Sequence, residues 1–173
     1  MGERINYGYR MVITMMLISG LLSIAVHWCV VFNMLNYVNK VNAADQAVKT
    51  CRINVNAAAR NVREMALNPD KSTYDDYEQG AKEKLEDVDV QLKTIKKSGI
   101  VPENQYNEYS KALSDWANIG YSIMDKIKAG QKDEAVDQII NECTPKLNKT
   151  VELAKEINKL TDERSHQAVV RTY

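Results

Sequence analysis

Arg52, Arg60 and Arg63 sit within "KTCRINVNAAARNVREMALNP", residues 49–69, beside the amides Asn54, Asn56 and Asn61. Guanidinium groups grip carboxylates through two parallel hydrogen bonds, and amides add neutral donors. The set suits the holding of a small anion. At 100° per residue Arg52, Asn56 and Arg63 fall within about 40° of one another, with Arg60 to one side. The same outer face carries Ile53 and Leu67, which a solitary helix would leave in water. An arginine row interleaved with apolar groups points to a surface that meets a ligand and another copy of the chain. The competing reading is a solvated charged face, partly balanced by Glu64 and Asp70.

A second irregularity lies in "NECTPKLNK", residues 141–149. Pro145 interrupts a helical pattern, so the carbonyl of Asn141 loses its usual donor and is left as an acceptor for an ammonium group. Counted from the connections, Pro145 stands about 13 residues down its helix and Arg52 about 15 down the first, a height difference of about 3 Å. Asn56 and Asn148 join as secondary contacts on spacing alone. The alternative for Pro145 is a plain kink.

Other chemistry is sparse. There are two histidines, and no Ser/His or Cys/His arrangement, glycine-rich phosphate loop or HExxH motif. Carboxylates cluster on Glu/Lys-rich faces such as "KEKLEDVD", a solvated pattern. The chain is therefore expected to be no enzyme, with no catalytic residue, metal site or cofactor. Its 23 basic and 23 acidic residues cancel, which removes the electrostatic case for nucleic acid. Cys29, Cys51 and Cys143 form no metal or redox pattern and read as small buried hydrophobes. A Cys51–Cys143 disulfide is not expected, since the two differ in estimated height by roughly 8 Å.

The elements that must position the arginines begin with a span. Residues 11–39 contain no Asp, Glu, Lys or Arg, and about 20 apolar residues suffice to cross a bilayer. A cleaved signal with a site at Ser23-Ile24-Ala25 is disfavoured because the apolar run continues to Phe32. Arg4 and Arg10 precede the run, which places the N-terminus in the cytoplasm. The expected organisation is a cytoplasmic start over 1–10, a transmembrane helix over 11–33 and an extracytoplasmic domain over 34–170. His27, inside the span, is expected neutral at the outer interface or in a helix contact.

Beyond the span, Met34, Tyr37, Val41, Ala44, Val48, Cys51, Val55, Ala58, Val62 and Met65 recur at alternating three and four, a packing seam continuous with the span. "NPD" at 68–70 ends it. A second helix opens at Ser72 as cap, with Tyr74, Ala81, Leu85, Val88, Leu92 and Ile95 inward, and stops at Ser98-Gly99. A third follows Pro102, with Tyr106, Tyr109, Leu113, Trp116, Gly120, Ile123 and Ile127 inward. Asp133 caps a fourth, with Val136, Ile140, Cys143, Leu147, Ala154 and Ile157 inward. Four helices joined by short connections predict an all-α, antiparallel up-down-up-down four-helix bundle preceded by one transmembrane helix continuous with helix 1. The fourth helix returns to the membrane, so a second span is expected beyond Tyr173.

This arrangement resembles the sensor domain of bacterial methyl-accepting chemotaxis receptors of the four-helix-bundle class. "TCRINVNAAARNVREM" is similar to the arginine-bearing first-helix segment of the aspartate and serine receptors, with Arg52 and Arg63 the best matches and Arg60 a looser third. Pro145 matches the fourth-helix proline, although the hydroxyl, Thr144, precedes it here instead of following. The resemblance implies a homodimer in the bacterial cytoplasmic membrane that binds a small carboxylate or amino acid at the subunit interface through Arg52, Arg60, Arg63, Asn141 and Thr144, to which spacing alone adds Asn56 and Asn148. It also implies displacement of the fourth helix against the first, and cytoplasmic signalling partners reached through a second span, a HAMP relay and a helical hairpin. The same input bundle occurs on sensor histidine kinases and cyclic-dinucleotide enzymes, and a membrane-anchored scaffold for a protein partner is the reading from another class.

Overall fold

The structure, a computed structural model, describes the backbone of residues 2–170 and the side chains of residues 7–168. The Arg4 side chain, on which the expected orientation partly rests, and the second span expected after residue 173 both fall outside the described residues. Five α-helical segments follow in order: α1 (Gly2–Leu67), α2 (Tyr74–Ser98), α3 (Glu103–Lys128), α4 (Lys132–Gln138) and α5 (Thr144–Val170). A short 3-10 turn at Lys71–Thr73 precedes α2, and a π turn at Ile139–Cys143 joins α4 to α5. Among the described residues there is no strand.

Contacts divide the chain into two units, Met1–Asn39 and Lys40–Tyr173. In the first, every described side chain up to Asn33 is exposed. The helix that begins here is the one helix among the described residues long and apolar enough to cross a membrane.

The second unit is the bundle. Its core runs through Val48, Cys51, Val55, Ala58 and Met65 of α1 and the predicted α2 seam, closed by Tyr109, Leu113, Trp116 and Ile123 of α3. On α1 the burial starts at Val41; Met34 and Tyr37 stay partly or largely exposed. Cross-helix bonds fix an antiparallel order. Asn54 donates to the Asp87 carboxylate, and the Cys51 thiol reaches the Val88 carbonyl at 3.8 Å, joining α1 to α2. Asp45 accepts from Asn158 (2.8 Å) and Thr161 (3.0 Å), joining α1 to α5. Lys132 donates to the Asn68 carbonyl at 2.9 Å, joining the start of α4 to the end of α1. Cys51 and Cys143 are buried and unbonded.

The helix ends follow local chemistry, with two differences from expectation. Asp70, not Ser72, is the capping side chain: its carboxylate accepts from the Ser72 backbone N–H (2.9 Å) and hydroxyl (2.7 Å), setting the 3-10 turn before α2. Asp133 lies in the first turn of α4, behind Gln131 at the cap position, where its charge still meets the positive end of the helix. Gly99 (φ +66°) and Gly130 (φ +83°) end α2 and α3 in the left-handed region, which costs glycine nothing sterically.

The fourth helix departs most from its predicted seam. Val136 and Ile140 are 38% and 62% exposed, whereas Ala135 and Ile139 are buried. The π turn is the cause. Pro145 has no N–H to offer and would press on the carbonyl four residues back. One turn widens instead, and the Thr144 N–H reaches the Ile139 carbonyl, five residues earlier. The extra residue in that turn shifts every inward position before it by one.

Candidate functional site

Arg52, Ile53, Asn56, Ala57 and Arg60 line a surface groove of about 390 Å³. Helical spacing builds it: 52, 56 and 60 form one i, i+4 ridge, 53 and 57 the next. The methyl of Ala57 leaves the floor between the two arginines low. All five residues come from α1, so the groove has a floor and one wall. The Asn56 amide donates to the Arg52 carbonyl at 2.7 Å, which fixes the side chain and keeps its oxygen available as an acceptor.

The electrostatics are distinctive. Lys49, Lys82, Lys111, Lys128 and Lys149 each hold a carboxylate, whereas no arginine takes part in an ion pair among the described residues. Arg52 is half-buried, and its charge reaches inward. Burial drives the Tyr109 hydroxyl far above its ordinary pKa, the neighbouring Cys51 adds to this, and Arg52 opposes it. Burial likewise pushes the Cys51 thiol up to about 12, the Tyr109 contact pulling the other way. Neither group is reactive at neutral pH.

The remaining expected residues do not join this groove. Arg63 is eleven positions from Arg52, roughly 16 Å along the axis, and its charge is felt at Cys143, whose thiol burial raises while Trp116 and Arg63 lower it. The wheel put Arg63 beside Arg52 because a projection ignores rise; Arg60, two turns away, is the arginine that meets Arg52 across the groove. Asn141 is exposed and donates to Asp137 at 2.7 Å. The Thr144 hydroxyl donates to the Ile139 carbonyl at 2.8 Å, spent on the π turn. Asn148 is exposed on α5. The Lys132–Asn68 and Asp45–Asn158 bonds bracket the register of α1 against the fourth helix. Within that register Pro145 lies about one to two turns nearer the Asn68 end than Arg52 does, roughly 5–9 Å, because a π turn adds residues without adding height.

Sequence reasoning missed Ala57, whose signal is its smallness between two arginines. It also missed the polar joint around Asp45, signalled by Asn158 and Thr161 continuing a seam that otherwise holds Ala154 and Ile157. Among the described residues no group of three or more His, Cys, Asp or Glu is placed to hold a metal ion.

Residues 1–171 match the sequence model of a family described as a four helix bundle sensory module for signal transduction. No curated protein and no solved structure matches the chain. The matched span takes in the apolar helix, the whole bundle and the arginine groove. The chain therefore belongs to the four-helix-bundle sensory modules of methyl-accepting chemotaxis and signal-transduction proteins.

Proposed function

We propose that this bundle senses a small carboxylate or amino acid, held by Arg52, Asn56 and Arg60 in the α1 groove and covered by the same face of a second copy. The bundle lies on the extracytoplasmic side of the bacterial membrane. Binding shifts the fourth helix against α1, and the movement passes through the span to a cytoplasmic signalling module. The observation that carries this reading is a pair of guanidiniums without carboxylate partners beside Ile53, 65% exposed, on a wall that the chain leaves open. Two helices in ridge-and-groove contact have alternative registers close in energy, so a ligand that prefers one can move them. The fourth-helix residues Asn141, Thr144 and Asn148 are then secondary contacts that a shift of the fourth helix would bring closer, whereas Arg63, one turn beyond Arg60 on α1, keeps its place beside the groove.

The test is a melting screen of the chain in lipid nanodiscs against a panel of carboxylates and amino acids. One compound at a hundred times its Kd should stabilise the folded state by about 2.7 kcal/mol. Arg52→Ala or Arg60→Ala should remove that gain. A panel without effect, or arginine variants that keep the gain, would overturn the reading; arginine variants that lose a protein complex instead would favour a scaffold.

A further inference from the structure

A second groove, of about 360 Å³, runs between α2 and α3, within the roughly 300–1,000 Å³ span of small-molecule sites. It exists because α3 turns small side chains toward α2. Ser110, Ser114 and Ala117 follow at the three-and-four spacing of an interhelical seam, where bulkier residues would have filled the gap. The floor is apolar: Leu85, Leu92 and Leu113 all line it, at 8%, 8% and 3% exposure.

The rim has one sign of charge. Glu86 and Asp89 line the groove from α2, three residues apart and so on neighbouring turns of one face. Neither takes part in an ion pair among the described residues, although Asp45, Glu78 and Asp115 are each neutralised by a lysine one turn away. Among the described residues no lysine or arginine lines the groove. On the α3 side Ser110, Ser114 and Asn118 make no internal hydrogen bond among the described residues, whereas Thr94, Ser98 and Thr150 bond back to their own helix. Hydroxyls and an amide thus stand ready beside two uncompensated carboxylates. Tyr121 closes one end.

We propose that this groove is a second ligand site, distinct from the arginine groove, which takes a small organic amine: a primary ammonium on an unbranched apolar stem. Charge complementarity selects the cation. Glu86 and Asp89 straddle the ammonium and take two of its three donors, and the third reaches the Ser114 or Asn118 oxygen. The leucine floor selects the stem, each buried methylene strengthening binding by up to about fourfold. A bare metal ion does not fit, since no group of three or more ligating side chains is assembled among the described residues. This inference does not depend on the function proposed above, because the two grooves share no residue and attract opposite charges.

The probe is n-pentylammonium, titrated calorimetrically into the chain in zwitterionic phosphatidylcholine nanodiscs, with empty nanodiscs subtracted. Pentanol and pentanoate are the controls. The expected result is one site per chain for pentylammonium, at least tenfold tighter than pentanol, and no displacement by pentanoate. Glu86→Gln with Asp89→Asn should weaken binding at least tenfold; both residues are exposed, and unchanged thermal unfolding confirms that the variant is folded. Ser114→Leu fills the groove and should abolish binding while Arg52→Ala leaves it intact. Equal affinity for pentanol, binding unmoved by the carboxylate pair, or no binding at all would each overturn the proposal.

Discussion

The arginine groove and the α2–α3 groove are close in size, about 390 and 360 Å³, but one is cut into a single helix and the other lies between two. The first collects unpaired cations, the second unpaired carboxylates. Their floors differ as well: Ile53 is 65% exposed, whereas Leu113 is 3% exposed and belongs to the core. A groove on one helix is half of a site. It has groups but no opposite wall, and what completes it must come from outside the chain. A groove between two helices is complete once the bundle folds, so its occupant needs no second copy.

The largest expected effect tests the floors. Leu113→Ala removes core volume and should cost about 2–5 kcal/mol, read by urea unfolding of the chain. Ile53→Ala, measured in dilute detergent where subunits are apart, should stay within about 0.5 kcal/mol. If Ile53→Ala costs as much as Leu113→Ala, the α1 groove is a covered part of the fold and the contrast between the two regions fails.

The middle effect tests the missing wall. Ile53→Asp puts a negative charge between Arg52 and Arg60 and removes apolar surface from the open face. It should weaken the carboxylate that the melting screen identifies by about ten- to a hundredfold, a loss of about 1.4–2.7 kcal/mol. Sedimentation should show the subunits apart. Pentylammonium binding to the other groove should not move. A variant that separates the subunits yet keeps carboxylate affinity would mean that one helix suffices to hold the anion.

The same difference decides what could be read in advance. Positions on one helix are legible from spacing, which is why Tyr74, Ala81, Leu85, Val88, Leu92 and Ile95 were all foreseen as buried and all are. The arginine row was legible for that reason, and its ranking shows the limit of the method: a wheel records angle and discards rise, so it sets Arg63 nearer to Arg52 than Arg60, which shares the groove. Val136 and Ile140 failed because the period itself changes at the π turn. Pro145 announces a disturbance there, but not that the helix absorbs it by widening a turn. The α2–α3 groove was not legible at all. Its members are unremarkable on either helix, and only the pairing of Leu85 and Leu92 with Ser110, Ser114 and Ala117 reveals the gap.

The smallest effect concerns what holds the walls of the second groove together. Lys128 near the end of α3 bonds Glu78 and Asp75 near the start of α2, the latter at 3.0 Å, and Lys82 bonds Glu78 at 2.6 Å. Hydrogen bonds from Lys128 and then Lys82 hold the Glu78 carboxyl below its ordinary value of 4.5, with burial opposing. A carboxylate lowered by folding adds stability that is fully present above its unfolded pKa and is lost as pH falls through the folded one. Glu78→Gln keeps the shape and removes the charge, so it should cost about 0.5–1 kcal/mol at pH 7. The gap from the parent should narrow as pH falls below the ordinary value of 4.5 and through the lowered one, as the parent's own carboxylate becomes protonated. Because the clamp joins α2 to α3 and touches no residue of the α1 groove, the variant should loosen pentylammonium binding by less than about twofold and leave the carboxylate response unchanged. A gap that does not narrow in acid would show that the clamp does not depend on the Glu78 charge; a carboxylate response that falls in the variant would show that the two grooves are mechanically coupled through the α2–α3 pair, and that the half-site on α1 is less independent than its single wall implies.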